Sequence, residues 1–123
     1  MDIFAKIAWG ALAAIHLSPA MVAFAPQLTR KLYGVDSQGH LGLLLTHRGA
    51  LFAAIVALCV FALFDPGARR AASLATGFSV VSFLVYYARA GFPAGALRTV
   101  AIVDVVALAP LAVVLADAWL RRT

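Results

Sequence analysis

Four long apolar runs, separated by short turn-forming segments, constrain this chain more than any other feature. They cover residues 3–25, 41–64, 71–88 and 97–120. A transmembrane helix needs about 20 largely apolar residues to cross ~30 Å of hydrocarbon. The runs are continuous rather than alternating, which argues against barrel strands, and helices satisfy their own backbone groups in lipid. The sequence therefore predicts an all-α polytopic membrane protein, an antiparallel bundle of four transmembrane helices.

The links between the runs are short and rich in residues that end helices. Asp65, Pro66 and Gly67 form the second link, and Pro93 interrupts the third. Four spans and three links use all 123 residues. We therefore expect a single four-helix transmembrane domain, residues 1–123, with no separate soluble domain.

The composition agrees with a surface that is covered by lipid. Apolar residues make up 64% of the chain and charged residues 12%, whereas soluble domains are about half apolar and a quarter charged. The net charge of +5 comes from ten Lys and Arg against five Asp and no Glu. These cations lie between the apolar runs rather than in one patch, so we expect membrane lipids as partners and no nucleic acid.

The first run also has some features of a secretory signal peptide. Ala23 to Ala25 would form the cleavage box, but Pro26 would follow the scissile bond. Asp2 weakens the amino-terminal region and His16 interrupts the apolar core. We therefore expect an uncleaved span.

The distribution of Lys and Arg predicts that both termini are cytoplasmic. The amino terminus, second link and carboxyl terminus together carry five such residues, and the first and third links carry four. The five are Lys6, Arg69, Arg70, Arg121 and Arg122, and the four are Arg30, Lys31, Arg89 and Arg98.

Polar residues inside the spans are the candidates for a functional site. An Arg or Asp in mid-span costs about 2.5–3.5 kcal/mol on the insertion scale, so such residues are usually paired or functional. The predicted ligand-binding residues are His16 in the first span, His47 and Arg48 in the second, Ser82 and Tyr86 in the third, and Asp104 in the fourth.

The depths of these residues predict a shared site. Arg48 lies about seven residues into its span, or ~10 Å at the rise of an α-helix, and Asp104 lies at a similar depth. Since neighbouring spans are antiparallel, His16 falls in the same half of the membrane. Pairing of Arg48 with Asp104 would offset much of their cost in the membrane. We expect a cavity lined by His16, Arg48, Tyr86 and Asp104 that opens toward the first and third links.

Several chemistries are not indicated by the sequence. It contains no P-loop, GxGxxG, HExxH or GxSxG pattern, and no metal-binding motif. The single cysteine, Cys59, excludes an intrachain disulfide. The absence of Glu removes the membrane carboxylate of small multidrug antiporters. Whether the chain catalyses any reaction stays open at this point.

Four short motifs together resemble a family of small four-span proteins of the bacterial inner membrane. The resemblance covers most of the chain and implies that location, but no established activity. Its motifs are His16 with Pro19, Leu32-Tyr33-Gly34, His47-Arg48-Gly49 with Leu51-Phe52, and Leu97-Arg98 leading through Val100 to Asp104.

Three functions compete on this evidence. The leading hypothesis is that a small hydrophobic or amphiphilic ligand, such as a quinone, isoprenoid or lipid, binds in the polar intramembrane pocket. The second is a structural or accessory subunit in a homo-oligomer or a larger membrane complex, with the Arg48–Asp104 pair serving only to hold helices together. The third is a b-type haem protein with His16 and His47 as axial ligands.

Overall fold

The fold is that of a computed structural model, which describes residues 2–25, 27–34 and 38–120. Throughout these residues the regular structure is helical, without a strand. Four helices are long and apolar enough to cross a membrane, which confirms the predicted all-α four-helix bundle. The chain is a multi-pass membrane protein. Arg121 and Arg122, which entered the orientation count, lie outside the described residues.

The helices follow the order of the apolar runs, with one addition in the first link. This addition is the six-residue helix α2, which the turn-forming residues of that link did not predict. Short 3-10 turns follow α1 at Met21–Ala23 and precede α4 at Pro66–Ala68. The helices are α1 (Asp2–Ala20), α2 (Leu28–Tyr33), α3 (Gly39–Phe64), α4 (Arg69–Arg89) and α5 (Ala96–Leu120).

The apolar core lies along α1, which packs against both α3 and α5. Trp9 and Leu12 of α1 are its largest fully buried side chains, and small residues such as Ala62 and Ala72 let the neighbouring helices approach them. Many large apolar residues lie instead on the outside of the bundle, where lipid or another membrane protein can cover them. The remaining core residues are Ala8, Cys59, Val80, Ala107, Leu111 and Val114.

A close backbone approach joins α3, at Gly49, to the end of α1 and the 3-10 turn that follows it. A Cβ atom at Gly49 would lie 2.8 Å from the Ala23 nitrogen, 3.0 Å from Val22 Cβ and 3.1 Å from the Pro19 oxygen. Glycine is therefore required here by space. Small residues at helix crossings are the usual means by which transmembrane helices pack closely.

A buried ion pair joins three helices at the end of the bundle that contains the α3–α4 link. Arg69 Nη1 lies 3.3 Å from Asp117 Oδ2 of α5, and its Nε donates to the Ala62 carbonyl of α3 at 2.8 Å. Arg69 is only 3% exposed. Arg69 thus donates to carbonyls at the end of α3 that have no partner within the helix.

The next residue extends the connection between α4 and α5. Arg70 Nε donates to the Ala118 carbonyl at 2.9 Å, and its guanidinium lies 4.9 Å from the centroid of Trp119. The Trp119 indole N–H donates to Ser73 Oγ at 3.0 Å. Charged and aromatic groups therefore hold the start of α4 against the end of α5.

Removal of Asp117 tests the importance of the buried ion pair. In Asp117→Ala the Arg69 guanidinium keeps its carbonyl acceptors but loses its carboxylate, so we expect the free energy of unfolding to fall by about 3 kcal/mol. Denaturant unfolding in mild detergent measures this. The control is Asp65→Ala, which removes an exposed carboxylate whose Oδ1 accepts the Gly67 N–H and should cost only about 1 kcal/mol. Equal stability of the two variants would contradict a structural role for the pair.

Two glycine substitutions test the close crossing. Gly49→Ala should lose about 1–3 kcal/mol because its Cβ meets backbone atoms that cannot move independently. Gly10→Ala in α1 is the matched control, since nothing lies within 4 Å of its added Cβ, and it should be neutral or stabilising by up to about 1 kcal/mol. The same unfolding assay compares the two variants. An unchanged free energy of unfolding for Gly49→Ala would show that the helices can accommodate a methyl group at this crossing.

Candidate functional site

Arg48 of α3 lies among three aromatic rings. Its Cζ is 4.5 Å from the centroid of Phe52, 5.4 Å from that of Phe83 and 5.5 Å from that of Tyr33. Its Nη1 donates a hydrogen bond of 2.8 Å to the Tyr33 hydroxyl. Aromatic faces attract a cation, most strongly where water is excluded. The rings therefore hold the guanidinium in place without neutralising its charge.

The short helix α2 supplies Tyr33 to this site. α2 ends at Gly34, whose φ of 69° favours glycine and whose N–H bonds to the Arg30 carbonyl at 2.9 Å. The turn leaves Tyr33 only 9% exposed. Burial raises the pKa of the Tyr33 phenol above its ordinary value, and the Arg48 charge offsets this only in part. The phenol is therefore neutral at physiological pH and adds no negative charge beside Arg48.

Arg48 opens onto a cavity of about 500 Å³ between α3 and α4. Among the described residues that line it, Arg48 alone is charged. Polar groups at the same end come from α4, where Ser82 Oγ donates to the Ser79 carbonyl at 3.3 Å. The rest of the lining is almost entirely apolar. The lining residues are Arg48, Leu51, Phe52, Ala54, Ile55, Ala75, Phe78, Ser79, Ser82, Phe83 and Tyr86.

Asp104 lies in a different cavity, which corrects the prediction of one shared pocket. This second cavity, of about 390 Å³, lies between α1, α2 and α5 and is bordered by Tyr33. Within the described residues Asp104 forms no hydrogen bond or ion pair, so the direct Arg48–Asp104 pair of the structural hypothesis is not formed, although the two charges interact through space. Equal depth brought the two residues to one level of the bundle, but Tyr33 is the group that Arg48 contacts.

The two histidines lie outside both cavities. His16 is 2% exposed, its Nδ1 donates to the Leu12 carbonyl at 2.8 Å, and its ring centroid is 5.7 Å from that of Phe52. His16 therefore packs against Phe52, one of the rings that contact Arg48. His47 is exposed on α3 and does not follow Arg48 into the α3–α4 cavity, as expected for neighbours about 100° apart around a helix.

Of the six predicted site residues, three therefore meet in one cavity. Arg48, Ser82 and Tyr86 line it together, whereas Asp104, His16 and His47 do not. Neither of these two cavities is lined by His16 or His47, so neither supports the haem hypothesis.

Three aromatic residues of the site were not predicted. Phe52 follows Arg48 by four positions and so shares its helix face, a spacing that could have indicated it. Tyr33 belongs to the Leu-Tyr-Gly motif of the first link, but no helix was expected there. Nothing in the pattern of α4 distinguishes Phe83 from its apolar neighbours.

Comparison of the chain with models of protein families, with curated proteins and with solved structures gives no match.

Double-mutant cycles test which partner Arg48 has. The cycle of Tyr33→Phe with Arg48→Met should give a coupling energy of about 1–2 kcal/mol, because it removes a charge-assisted hydrogen bond. The cycle of Asp104→Asn with Arg48→Met should give a smaller value, since the two side chains are not in contact. Unfolding in detergent measures both coupling energies. A larger coupling of Arg48 with Asp104 than with Tyr33 would indicate a direct ion pair.

Proposed function

We propose that this membrane protein binds a small amphiphile between α3 and α4, with the polar head group at Arg48 and the apolar part along the cavity. The proposal depends on the hydrogen bonding of the Arg48 guanidinium. A guanidinium has five N–H donors, and in the described structure one of its groups bonds to Tyr33 while no carboxylate contacts it.

A partly unsatisfied cation at this depth is expensive unless something else completes its hydrogen bonds. The adjoining cavity has room for such a group and is polar only near Arg48. Quinones, isoprenoids and lipids all combine a polar head with an apolar body that the lining residues Leu51, Ile55 and Phe78 would accommodate. Tyr86 and Ser82 lie close enough to the same end to add hydroxyl groups.

We place the protein in a bacterial inner membrane with both termini in the cytoplasm. The location is supported by the resemblance of its motifs, and the orientation by the five-to-four distribution of cations. In this orientation the Arg69–Asp117 pair lies at the cytoplasmic end and Arg48 in the outer half of the membrane. Fusion of a reporter that is active only outside the cytoplasm to the carboxyl terminus would test it, because activity there would reverse the orientation.

The rival function is a structural or accessory subunit that packs against a larger membrane partner. The interhelical ion pair expected of it is present, but as Arg69–Asp117 rather than Arg48–Asp104. This pair lies at the other end of the bundle from Arg48, and neither of its residues lines the cavity, so the structural pair and the proposed binding site are separate features. Arg48 itself is therefore better explained by a ligand.

Lipid retention tests the amphiphile proposal. Wild type, Arg48→Met and Arg89→Met are purified in the same mild detergent, and their organic extracts are compared by mass spectrometry. Arg89→Met is the matched control, because it removes an exposed cation from the end of α4 that lines none of the described cavities. We expect one class of molecule to be retained by wild type and Arg89→Met and depleted at least about tenfold in Arg48→Met. Equal extracts from all three proteins would refute the proposal.

A further inference from the structure

The charge of the α3–α4 cavity restricts the head group that it can neutralise. Arg48 is its one charged lining residue in the described structure, and the neighbouring Tyr33 is neutral. Asp104 lies in the other cavity and acts on Arg48 through space, without contact. In a low-dielectric site, uncompensated charge is costly. A phosphomonoester, which carries about −1.5 to −2 at neutral pH, would therefore leave excess negative charge. One negative charge matches one guanidinium.

The surroundings of Arg48 also restrict the shape of the head group. Three rings lie within 5.5 Å of Cζ and the Tyr33 hydroxyl takes a hydrogen bond from Nη1. The remaining N–H donors lie in the plane of the guanidinium. A planar carboxylate can accept two parallel hydrogen bonds there, whereas a single carbonyl or hydroxyl oxygen cannot reproduce this arrangement.

The rest of the cavity suits a single apolar chain. Its α4 lining extends from Tyr86 back to Ala75, a distance of about 16 Å at the helical rise. Ala54 and Ala75 leave space between the helices, and the exposed side chain of Phe78 lies at its lateral edge. A chain entering sideways from the bilayer would lie along this groove.

We propose that the ligand is a single-chain carboxylate of the fatty-acid class, bound with its carboxylate on Arg48 and its chain between α3 and α4. This inference rests on the proposed function and specifies the ligand. Ser82 and Tyr86 lie beside the carboxylate, and Ile55 and Ala75 lie along the chain.

Photo-crosslinking tests this ligand class. The full-length protein is placed in phosphatidylcholine nanodiscs with a palmitate analogue that carries a diazirine in mid-chain, and the labelled peptides are mapped by mass spectrometry. We expect labelling on the cavity segments of α3 and α4. Unlabelled palmitate should displace the probe at roughly tenfold to a hundredfold lower concentration than methyl palmitate, which has the same chain but no charge. Hexadecyl phosphate should compete less well than palmitate.

Two variants separate charge from geometry. Arg48→Met should abolish the preference for acid over ester, and Arg48→Lys should retain only part of it, because an ammonium cannot form the two parallel bonds. Arg89→Met should behave as wild type. Should Arg48→Met fail to elute as a folded monodisperse species, Arg48→Lys still provides the comparison.

Each contrary result has a defined meaning. Equal competition by acid and ester, or stronger competition by hexadecyl phosphate, would overturn the carboxylate inference while leaving amphiphile binding intact. Labelling outside the cavity, or none above that of empty nanodiscs, would also overturn it. The lipid-retention comparison judges the broader proposal separately, since it does not depend on this probe.

Discussion

Lipid offers no hydrogen-bond partners, and the whole arrangement of this bundle follows from that constraint. Each polar group inside a span must find its partner in the protein. Arg69 does so completely, through Asp117 and the carbonyls at the end of α3. His16 does so through the Leu12 carbonyl one turn earlier in its own helix. Trp9 Nε1 is an exception, buried without a partner among the described residues.

The hydrogen bonding of Arg48 is intermediate between that of Arg69 and that of Trp9. It is stabilised by aromatic faces and one phenol, which fix its position but leave hydrogen-bonding capacity. Arg69 and Arg48 therefore give the two ends of the bundle different properties. One end is closed by charge pairing, and the other presents an incompletely paired charge to a cavity.

The sequence predicted the helices well because span length is dictated by the bilayer. The expected spans 41–64 and 97–120 differ from α3 and α5 by at most two residues at any end. Depth, read by counting residues, correctly brought Arg48 to Ser82 and Tyr86. It failed for Asp104 because depth is only one coordinate. The direction of a side chain around its helix depends on packing. So does the position of Tyr33, which comes from a link that was expected to be a simple turn.

The glycine crossing has a consequence for recognition. Gly49 is the immediate neighbour of Arg48, and its backbone rests on that of the α1 end at Ala23 and Pro19. The crossing therefore fixes the backbone next to Arg48, and Tyr33 with the three rings holds its guanidinium. The guanidinium is preorganised, so the amphiphile proposed above would lose its own freedom on binding but would not have to order the protein. A rigid cation of this kind discriminates between head groups by their fit, because it cannot adjust to those that fit poorly.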